Sequence, residues 1–514
     1  MSSVCVRVPW PALVLFAAAC ASGESDTGPD GGGSDAGAGD SRHQPSDGPG
    51  LPPGPAIYVA RPPLGQPTAP GTQAQPVATI GRGIELAAQM SPGAHVVVAG
   101  GTYNESVTLR SGISLFGGFD PNASWMPSSS SVSTIRGDET AVLAMGLTDE
   151  THVEGFTIRS ADATSAAGAS SYGIRILAST GTVVLRNDII IAGLGAPGAD
   201  GAAGQTGVAG QPGGRGSDGC NGCGSGGDGG AAGVSACGRS GGVGGRGGYS
   251  ETPPGQSMQG QGYNGQPGVG WDGISGDPSS GGAGGNTSPV CFTRAAAGAN
   301  GRDGLAGTPG NNGLATGPFG ALVGDLYRHL AGGDGVDGAT AGGGGGAGGG
   351  GGYFGVCVDD RGGGGGGGGA GGCGGTHGTG GGAGGGSFAI VARGSSFQVD
   401  GCTLQTSGGG GGGRGGDGGA GGPGGSGGGG GSPADDAGGG GTGGIGGRGG
   451  AGGAGAGGAG GPAIGIYSVS STPQIGTNSF MGASAAMGGL GGMVPGGSPA
   501  QNGPAGLSSN LKMD

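Results

Sequence analysis

Cysteines offer the most specific chemistry in this sequence of 514 residues. Six of them lie in glycine-rich sequence: Cys220, Cys223, Cys237, Cys291, Cys357 and Cys373. The pair Cys220 and Cys223, with Cys237 and His377, suggests a zinc site, but the second ligand pair of the usual motif is missing. Exported chains form disulfides readily, so we predict disulfides among the six, with the pairing open, and neither a metal nor a cofactor. Cys402 lies in a strand-like segment and is expected to be a packed thiol.

Carboxylates and arginines raise the question of catalysis. A polysaccharide lyase or hydrolase needs carboxylates that bind calcium or act as acid and base, with a cation, on one face of adjacent coils. Here such residues are scattered over the predicted strands: Glu154, Arg159, Arg175, Arg186, Asp188 and Asp400. The dense charged group Asp359-Asp360-Arg361 is flanked by glycine runs, where a preorganised site is not expected. The sequence therefore predicts no enzyme.

One short acidic segment suggests calcium. Residues 332–339 (GGDGVDGA) match a calcium-binding nonapeptide repeat through Asp334 and Asp337. That site needs tandem copies and a bulky apolar residue where Ala339 stands. We therefore expect a chance match.

The N-terminus has the features of an export signal. Arg7 precedes an apolar stretch of about a dozen residues, too short for the roughly 20 that span a bilayer, and Ala17-Ala18-Ala19-Cys20 follows. This ending resembles the lipobox of bacterial lipoproteins, which implies removal of residues 1–19 and lipidation of Cys20. Cleavage after Ala19 by the ordinary signal peptidase, giving a secreted protein, stays the alternative. Residues 20–55 are predicted to be a disordered acidic tether.

Composition limits the size of the folded core. Glycine supplies 155 of the 514 residues and aromatic residues only 4%, so most of the chain cannot bury a core. Apolar residues concentrate in 57–193, 388–406 and 464–487, which predicts one compact domain. A formal net charge of −13 without a long basic run argues against nucleic acid as a partner.

Short strands are predicted after the tether. Residues 57–59 predict a strand, and an amphipathic helix follows that ends before 91–93 and has its apolar face formed by Val77, Ile80, Ile84 and Ala88. Further segments with strand patterns are bounded by Gly, Asn or Ser and lie at 96–98, 107–109, 113–115, 153–158, 174–176 and 183–191.

The strand pattern repeats along the chain. Residues 387–404 (SFAIVARGSSFQVDGCTL) align without a gap on 463–480 (AIGIYSVSSTPQIGTNSF), and the same pattern recurs in 171–190 and, for its second half, in 153–158. A unit of about twenty residues cannot bury its apolar positions alone, so the copies must stack as coils of a solenoid.

These features resemble right-handed parallel β-helix proteins of the pectin-lyase-like class. The resemblance rests on 57–60 (IYVA), 99–107 (AGGTYNESV) and 115–120 (LFGGFD). It implies an all-β fold, a short right-handed parallel β-helix whose N-terminal helix plugs the first coil and protects its edge. The expected β-helix segments are 56–192, 387–407 and 463–487, with a Gly/Pro-rich tail at 488–514.

The copies of the repeat are called rungs below. Glycine-rich insertions separate the later rungs. They occupy 193–386, 408–462 and a shorter stretch around 482–506. Glycine falls at every third position from Gly195 through Gly222, which is the period of polyproline II geometry. Proline is too sparse for a collagen triple helix. Two states stay open, a disordered linker and polyglycine II helices packed side by side.

The insertions begin at one position of the repeat, after Ile190, Leu404 and Phe480. Insertions at one repeat position map to one face of a solenoid. We therefore predict that they leave from one corner of the β-helix and form a glycine-rich lobe stapled by disulfides.

Together these features predict a cell-surface-anchored lipoprotein with a structural, spacing or adhesive role and no catalysis. The lipid on Cys20 would hold it on a membrane, most simply the outer membrane or surface of a Gram-negative bacterium. The alternative is an extracellular carbohydrate-binding or carbohydrate-cleaving β-helix protein, and contacts with polysaccharides or cell surfaces fit both interpretations.

Overall fold

Short strands that turn at glycine or asparagine build the core. The computed structural model describes residues 54–90, 94–249, 261–269, 281–287, 293–352 and 360–514. In chain order its elements are β1 (Ala56–Val59), α1 (Ile80–Ala87), β2 (His95–Ala99), β3 (Gly101–Tyr103), β4 (Val107–Thr108), β5 (Ser114–Asp120), a 3-10 helix (Pro121–Ala123), β6 (Met126–Pro127), β7 (Ser133–Gly137), β8 (Thr140–Met145), β9 (Thr151–Glu154), β10 (Phe156–Ser160), β11 (Ser171–Leu177), β12 (Val183–Arg186), β13 (Ile189–Ala192), β14 (Ala321–Val323), β15 (Leu326–Arg328), β16 (Ser387–Arg393), β17 (Ser396–Asp400), β18 (Thr403–Thr406), β19 (Ala463–Val469), β20 (Thr472–Ile475), β21 (Ser479–Met481) and β22 (Ser508–Met513).

Three parallel sheets run along the stack. The first has the order β1-β2-β5-β9-β12-β17-β20, with β6 added antiparallel to β5. The second is β3-β7-β10-β13-β18-β21 and the third is β4-β8-β11-β16-β19-β22. The chain visits the three sheets in turn, so the molecule is a parallel β-helix, as predicted.

The register of the sheets confirms the repeat alignment. Ile390 pairs with Ile466 in the third sheet, and Leu404 pairs with Phe480 in the second. The inward side chains of successive coils, such as Ile158 and Ile190, are fully buried in one continuous core. Stacking identical positions in this way buries what a single rung could not.

The coil corners correct two of the predicted strands. Residues 153–158 and 183–191 each form two strands of different sheets rather than one. The chain turns between them at Gly155, with a φ of +79°, and at Asn187, with a φ of +55°. Glycine and asparagine tolerate this left-handed conformation, so one residue suffices to redirect the chain.

Helix α1 covers the first coil, as the resemblance implies. Thr79 accepts the Arg82 N–H as N-cap, and Glu105 accepts the Ile80 N–H over 2.8 Å. The buried face consists of Ile80, Gly83, Ile84 and Ala87. The predicted helix face is wrong at both ends. Because the helix begins only after Thr79, Val77 lies outside it and bridges to Val59, while Ala88 is exposed.

The glycine-rich insertions leave from one corner, as predicted. They follow β13, β18 and β21, which are neighbours in the second sheet, and they return to β16, β19 and β22, which are neighbours in the third. The C-terminal stretch expected to be a tail ends in β22, whose pairing with β19 extends the third sheet.

Candidate functional site

The glycine-rich sequence outside the coils forms an ordered second part of the molecule, here called the lobe. Hydrogen bonds join its extended segments at every third residue. Gly198 and Gly201, for example, donate their N–H groups to the carbonyls of Gly411 and Arg414 over 2.8 and 2.7 Å. This period is that of polyproline II geometry. Packed polyglycine II helices are therefore what the structure contains, and the disordered-linker alternative is wrong for the described residues.

Three segments lie at the centre of the lobe, 332–352, 361–386 and 438–461. In the second of them Gly366, Gly367 and Gly368 donate to three different neighbouring segments, and their carbonyls accept from three more. At these residues the segment thus has six neighbours, as in hexagonal packing. Within the described residues nine segments surround them: 195–219, 226–234, 239–248, 261–269, 281–287, 295–314, 408–432, 485–493 and 499–507.

The glycine content of a segment follows from the number of its packed faces. A Cβ added at Gly428 would lie 1.9 Å from the Gly214 carbonyl oxygen, whereas a Cβ at Gly429 meets nothing within 4 Å. A polyproline II helix has three residues per turn, so each packed face requires glycine at one position in three. Central 341–352 (AGGGGGAGGGGG) is accordingly glycine and alanine throughout, 408–432 is largely Gly-Gly-X, and outer 195–219 is largely Gly-X-Y.

Aspartate and asparagine side chains accept the N–H groups that face no neighbouring segment. Asp200 accepts the Arg414 N–H and Asp303 accepts the Ile445 N–H, each over 2.7 Å. Further acceptors of this kind are Asp218, Asn264, Asn300, Asn312, Asp334, Asp337 and Asn502. Each precedes a period-three glycine. Much of the lobe's acidity therefore satisfies backbone donors, as buried and half-buried N–H groups require.

The candidate calcium motif belongs to this group. Asp334 accepts the Gly380 N–H over 2.7 Å, and Asp337 accepts the His377 N–H over 2.8 Å and contacts its Nδ1 over 2.7 Å. Hydrogen bonds from His377 lower the pKa of Asp337. Both carboxylates are thus engaged with the segment beside them.

Disulfides join four of the predicted cysteines. Cys237, at a turn between two outer segments, is bonded to Cys373 of a central segment, and Cys220 is bonded to Cys223. Cys291 and Cys357 lie outside the described residues. In the described part of the chain no group of three or more His, Cys, Asp or Glu residues is placed to hold a metal ion.

The structure brings three of the candidate catalytic residues into one row. Glu154, Arg186 and Asp400 occupy equivalent positions on β9, β12 and β17 of the first sheet. Burial raises the pKa of Glu154, and the charge of Arg186 opposes this. Asp400 accepts the Thr477 N–H over 3.0 Å. Alternation of charge along a parallel sheet is stabilising without chemistry, so the row does not by itself indicate a reaction.

Asp188 lies at the corner between the first two sheets and is fully buried. Its Oδ1 accepts the Phe156 N–H over 2.8 Å, while Oδ2 has no hydrogen-bond partner among the described residues. Burial raises the pKa of Asp188 well above its usual value. At the same corner Asn478 accepts the Cys402 N–H over 2.9 Å, and Cys402 is a buried free thiol whose pKa burial raises to about 12. The hydrogen bonds of Asp188 and Asn478 thus connect successive coils. The thiol of Cys402 is packed in the interior, as predicted.

The remaining candidates lie elsewhere in the structure or outside the described residues. Arg159 stands on β10, opposite Arg136 and Ile191 of the adjacent strands. Asp360 and Arg361 are buried at the start of a central segment, where the Arg361 Nε donates to the Cys223 carbonyl over 2.8 Å. Asp359 is outside the described residues.

A cleft of about 260 Å³ lies between the third sheet and the β14–β15 hairpin, lined by Glu139, Tyr172, Arg175 and Arg328 among others. The Arg175 Nη2 donates to the Asp325 carbonyl over 2.7 Å, and its guanidinium lies 5.3 Å from the Tyr172 ring centre. Glu139 accepts the N–H groups of Thr164 and Ser165. The charged side chains of this cleft therefore hold the hairpin and a coil loop in place.

The predicted lipidation site and tether, Cys20 and 20–55, lie outside the described residues except for the last two tether positions. No helix within the described part of the chain is long and apolar enough to cross a membrane.

Comparisons with known proteins give low similarity. No protein-family model matches the chain, and the search of curated proteins returns no match. Among solved structures, the chain is similar to a rhamnogalacturonan lyase, with 17% identity and a TM-score of 0.18 over 27% of this chain and 40% of that one. It is also similar to the deglycosylated pectin methylesterase from Aspergillus niger, with 15% identity and a TM-score of 0.18 over 29% and 54% of the two chains. The chain therefore spans only about half or less of these structures. The fold assignment rests on strand pairing within this molecule.

Proposed function

We propose that this protein is a surface-displayed spacer and adhesive module in which the β-helix carries the lobe as its contact surface. The observation that carries the proposal is the hydrogen-bonded lattice of the lobe. Its packed faces are mostly glycine and alanine, so most of the larger side chains lie on the outside. Such an arrangement gives a rigid surface whose side chains are free to make contacts.

Exposed apolar side chains on the lobe support the adhesive part. Met487, Leu490 and Met493 recur every third residue of one segment and are 80%, 63% and 51% exposed. The glycines of this segment make its contacts with the neighbouring segments. The side chains of Met487, Leu490 and Met493 therefore do not contribute to packing inside the lobe. Exposed apolar residues that are grouped in this way usually mark an interaction surface.

Membrane anchoring through Cys20 completes the proposal. An acylated cysteine followed by a solvated tether would hold the lobe away from the bilayer, and each buried methylene of a lipid chain contributes about 0.8 kcal/mol to anchoring. No catalytic step is proposed, because the candidate carboxylates and arginines are spread over different sheets and segments, apart from the row of Glu154, Arg186 and Asp400.

The anchor is tested by cell fractionation. Cys20→Ser should move the protein from the membrane to the soluble or secreted fraction, whereas Cys5→Ser, within the predicted signal sequence, should leave it on membranes. If Cys20→Ser protein stays with membranes to the same extent as wild type, the anchor is wrong.

Adhesion is tested on cells that display the protein. Replacing Met487, Leu490 and Met493 together by Ser should reduce attachment to abiotic and cellular surfaces. A matched triple replacement of the exposed polar residues Thr206, Gln501 and Thr442 by Ala should not. Equal attachment by the Met/Leu variant and wild type would contradict the adhesive role.

A further inference from the structure

The two ends of the β-helix differ in how they are covered. At the first coil α1 packs against β1, β2 and β4, and its outer side carries the exposed ion pair of Arg82 and Glu85. At the opposite end lie β20, β21 and β22, which are the terminal strands of the three sheets and together form one coil. No strand of the described residues pairs with their far edges. These three strands are called the last coil.

The last coil leaves apolar residues of the core uncovered. Ile475 pairs with Val399, and Leu511 pairs with Ile466, and both of these partners are fully buried in the core. Paired residues of parallel strands point to the same side of the sheet, so Ile475 and Leu511 face inward, and so does Met513, two residues further along. The three inward residues are nevertheless 37%, 39% and 55% exposed. The core is therefore open to solvent at this end.

The sequence around this opening carries almost no charge. Residues 463–511 contain no charged side chain, although the protein has a formal net charge of −13. Lys512 follows the inward residue Leu511 and so points to the outer face of the sheet, where its Nζ lies 5.3 Å from the ring centre of Phe319. Lys512 also forms an ion pair with Asp514. Depletion of charge and enrichment in methionine are typical of the centre of a protein interface.

A second copy of this chain fits the opening. The net negative charge lies outside 463–511, so two copies repel each other elsewhere, whereas the uncharged ends can approach each other with less repulsion. An identical end related by a twofold axis supplies apolar cover for Ile475, Leu511 and Met513 of both copies. Because α1 closes the other end of each stack, association stops at two copies instead of continuing into a fibre.

We propose that two copies of this protein associate end to end through their last coils and form a closed dimer. The uncovered apolar layers of both copies become buried at the centre of the contact. One dimer then displays two lobes, so engagement of one lobe raises the effective concentration of the other at the same surface. The inference goes beyond the proposed function and depends on it only for this consequence.

Sedimentation equilibrium of the full-length Cys20→Ser protein tests the inference, because that change removes the predicted lipid as a cause of association. The mass should rise from one chain to two chains as the protein concentration is raised to about 100 µM. Leu511→Glu places a charge in the contact of both copies and should weaken dimerisation at least tenfold. Met126→Glu should leave dimerisation unchanged, because Met126 is 62% exposed but lies on β6, outside the last coil.

Hydrogen exchange of the protein without the Leu511 change keeps the test valid if Leu511→Glu loosens β22. Amides of 508–513 should exchange more slowly in the dimer than at dilutions where single chains prevail, whereas those of 140–145 in the same sheet should not change. A single-chain mass at every concentration, undiminished dimerisation of Leu511→Glu, growth beyond two copies, or exchange at 508–513 that ignores concentration would each overturn the inference. Attachment through Met487, Leu490 and Met493 is measured separately, so the two proposals fail separately.

Discussion

Replacing Gly428 by alanine should disrupt the lobe, while the same change at the adjacent Gly429 should not. The added Cβ at Gly428 would stand 1.9 Å from the Gly214 carbonyl oxygen, and at Gly429 it meets nothing within 4 Å. Carbon and carbonyl oxygen approach to about 3.3 Å at closest. The segments 408–432 and 195–219 must therefore separate locally by roughly 1.4 Å, as the difference between these two distances shows.

The energetic consequence follows from the hydrogen bonds between these segments. Gly213 and Gly216 donate to Ser426 and Gly429 over 2.9 Å. A displacement of this size stretches both beyond hydrogen-bonding range. At about 1 kcal/mol each, Gly428→Ala costs about 2 kcal/mol. Gly429→Ala stabilises the lobe by about 0.4–1 kcal/mol, because alanine restricts the unfolded chain.

Hydrogen exchange followed by mass spectrometry measures this difference locally. A cost of about 2 kcal/mol in opening free energy speeds exchange by roughly 30-fold, since 1.4 kcal/mol corresponds to a factor of ten. Peptides covering 195–219 should show this acceleration in Gly428→Ala and no acceleration in Gly429→Ala. Equal exchange in the two variants would refute the steric argument for glycine in the lobe.

Three further perturbations test other parts of the molecule. Asp188→Asn should flatten the pH dependence of urea unfolding: the raised pKa of Asp188 lets the folded state keep a proton that the unfolded chain releases, so wild-type stability falls as pH rises above about 4 through the folded pKa. If the unfolding free energy of the variant depended on pH in the same way as that of wild type, this explanation would be contradicted. Removing the Cys237–Cys373 disulfide, which closes a sequence separation of 136, should cost about 2–4 kcal/mol in unfolding free energy, and removing Cys220–Cys223, with a separation of 3, should cost less; the reverse order would be evidence against the lobe topology. Joining Gly193 to Ser387 through a loop as long as 161–170, which links the same two sheets one coil earlier, should leave a β-rich domain with a cooperative thermal transition by circular dichroism, because each coil contacts only its neighbours. A non-cooperative melt would indicate that the coils depend on the lobe.

Much of the β-helix could be predicted from the sequence because its late rungs are near-identical in pattern. Rungs such as 387–404 and 463–480 place apolar residues at equivalent positions, and stacking follows from that. The early coils were harder. Strand β7 (STIRG) carries one large buried apolar side chain, Ile135, and β3 is only three residues long, so neither gives an alternating pattern. The coil corners within 153–158 and 183–191 could not be predicted, because a single residue such as Asn187 makes the turn between two strands.

The three-residue period of glycine in the lobe could be predicted from the sequence. Whether the glycine-rich segments are packed or disordered could not. The partners of each hydrogen bond lie far apart in the chain, as Gly201 and Arg414 do, and no local pattern encodes that pairing. The signal that could have distinguished packing from disorder is the variation in glycine per triplet between segments, because it matches the number of packed faces. A second signal is Asp or Asn directly before the period-three glycine, as in Asp303-Gly304, since these side chains accept surface N–H groups.

Residue-resolved hydrogen exchange on the full-length protein tests the central claim, that the glycine-rich blocks are a packed polyglycine II lattice, most directly. The account predicts strong protection of glycine amides throughout 341–352, 362–386 and 440–461, because those amides donate to neighbouring segments from within the lobe. It predicts weak protection at Gly424, Gly427 and Gly430, whose N–H groups have no acceptor among the described residues. Uniformly fast exchange of glycine amides across all three central segments would contradict the account.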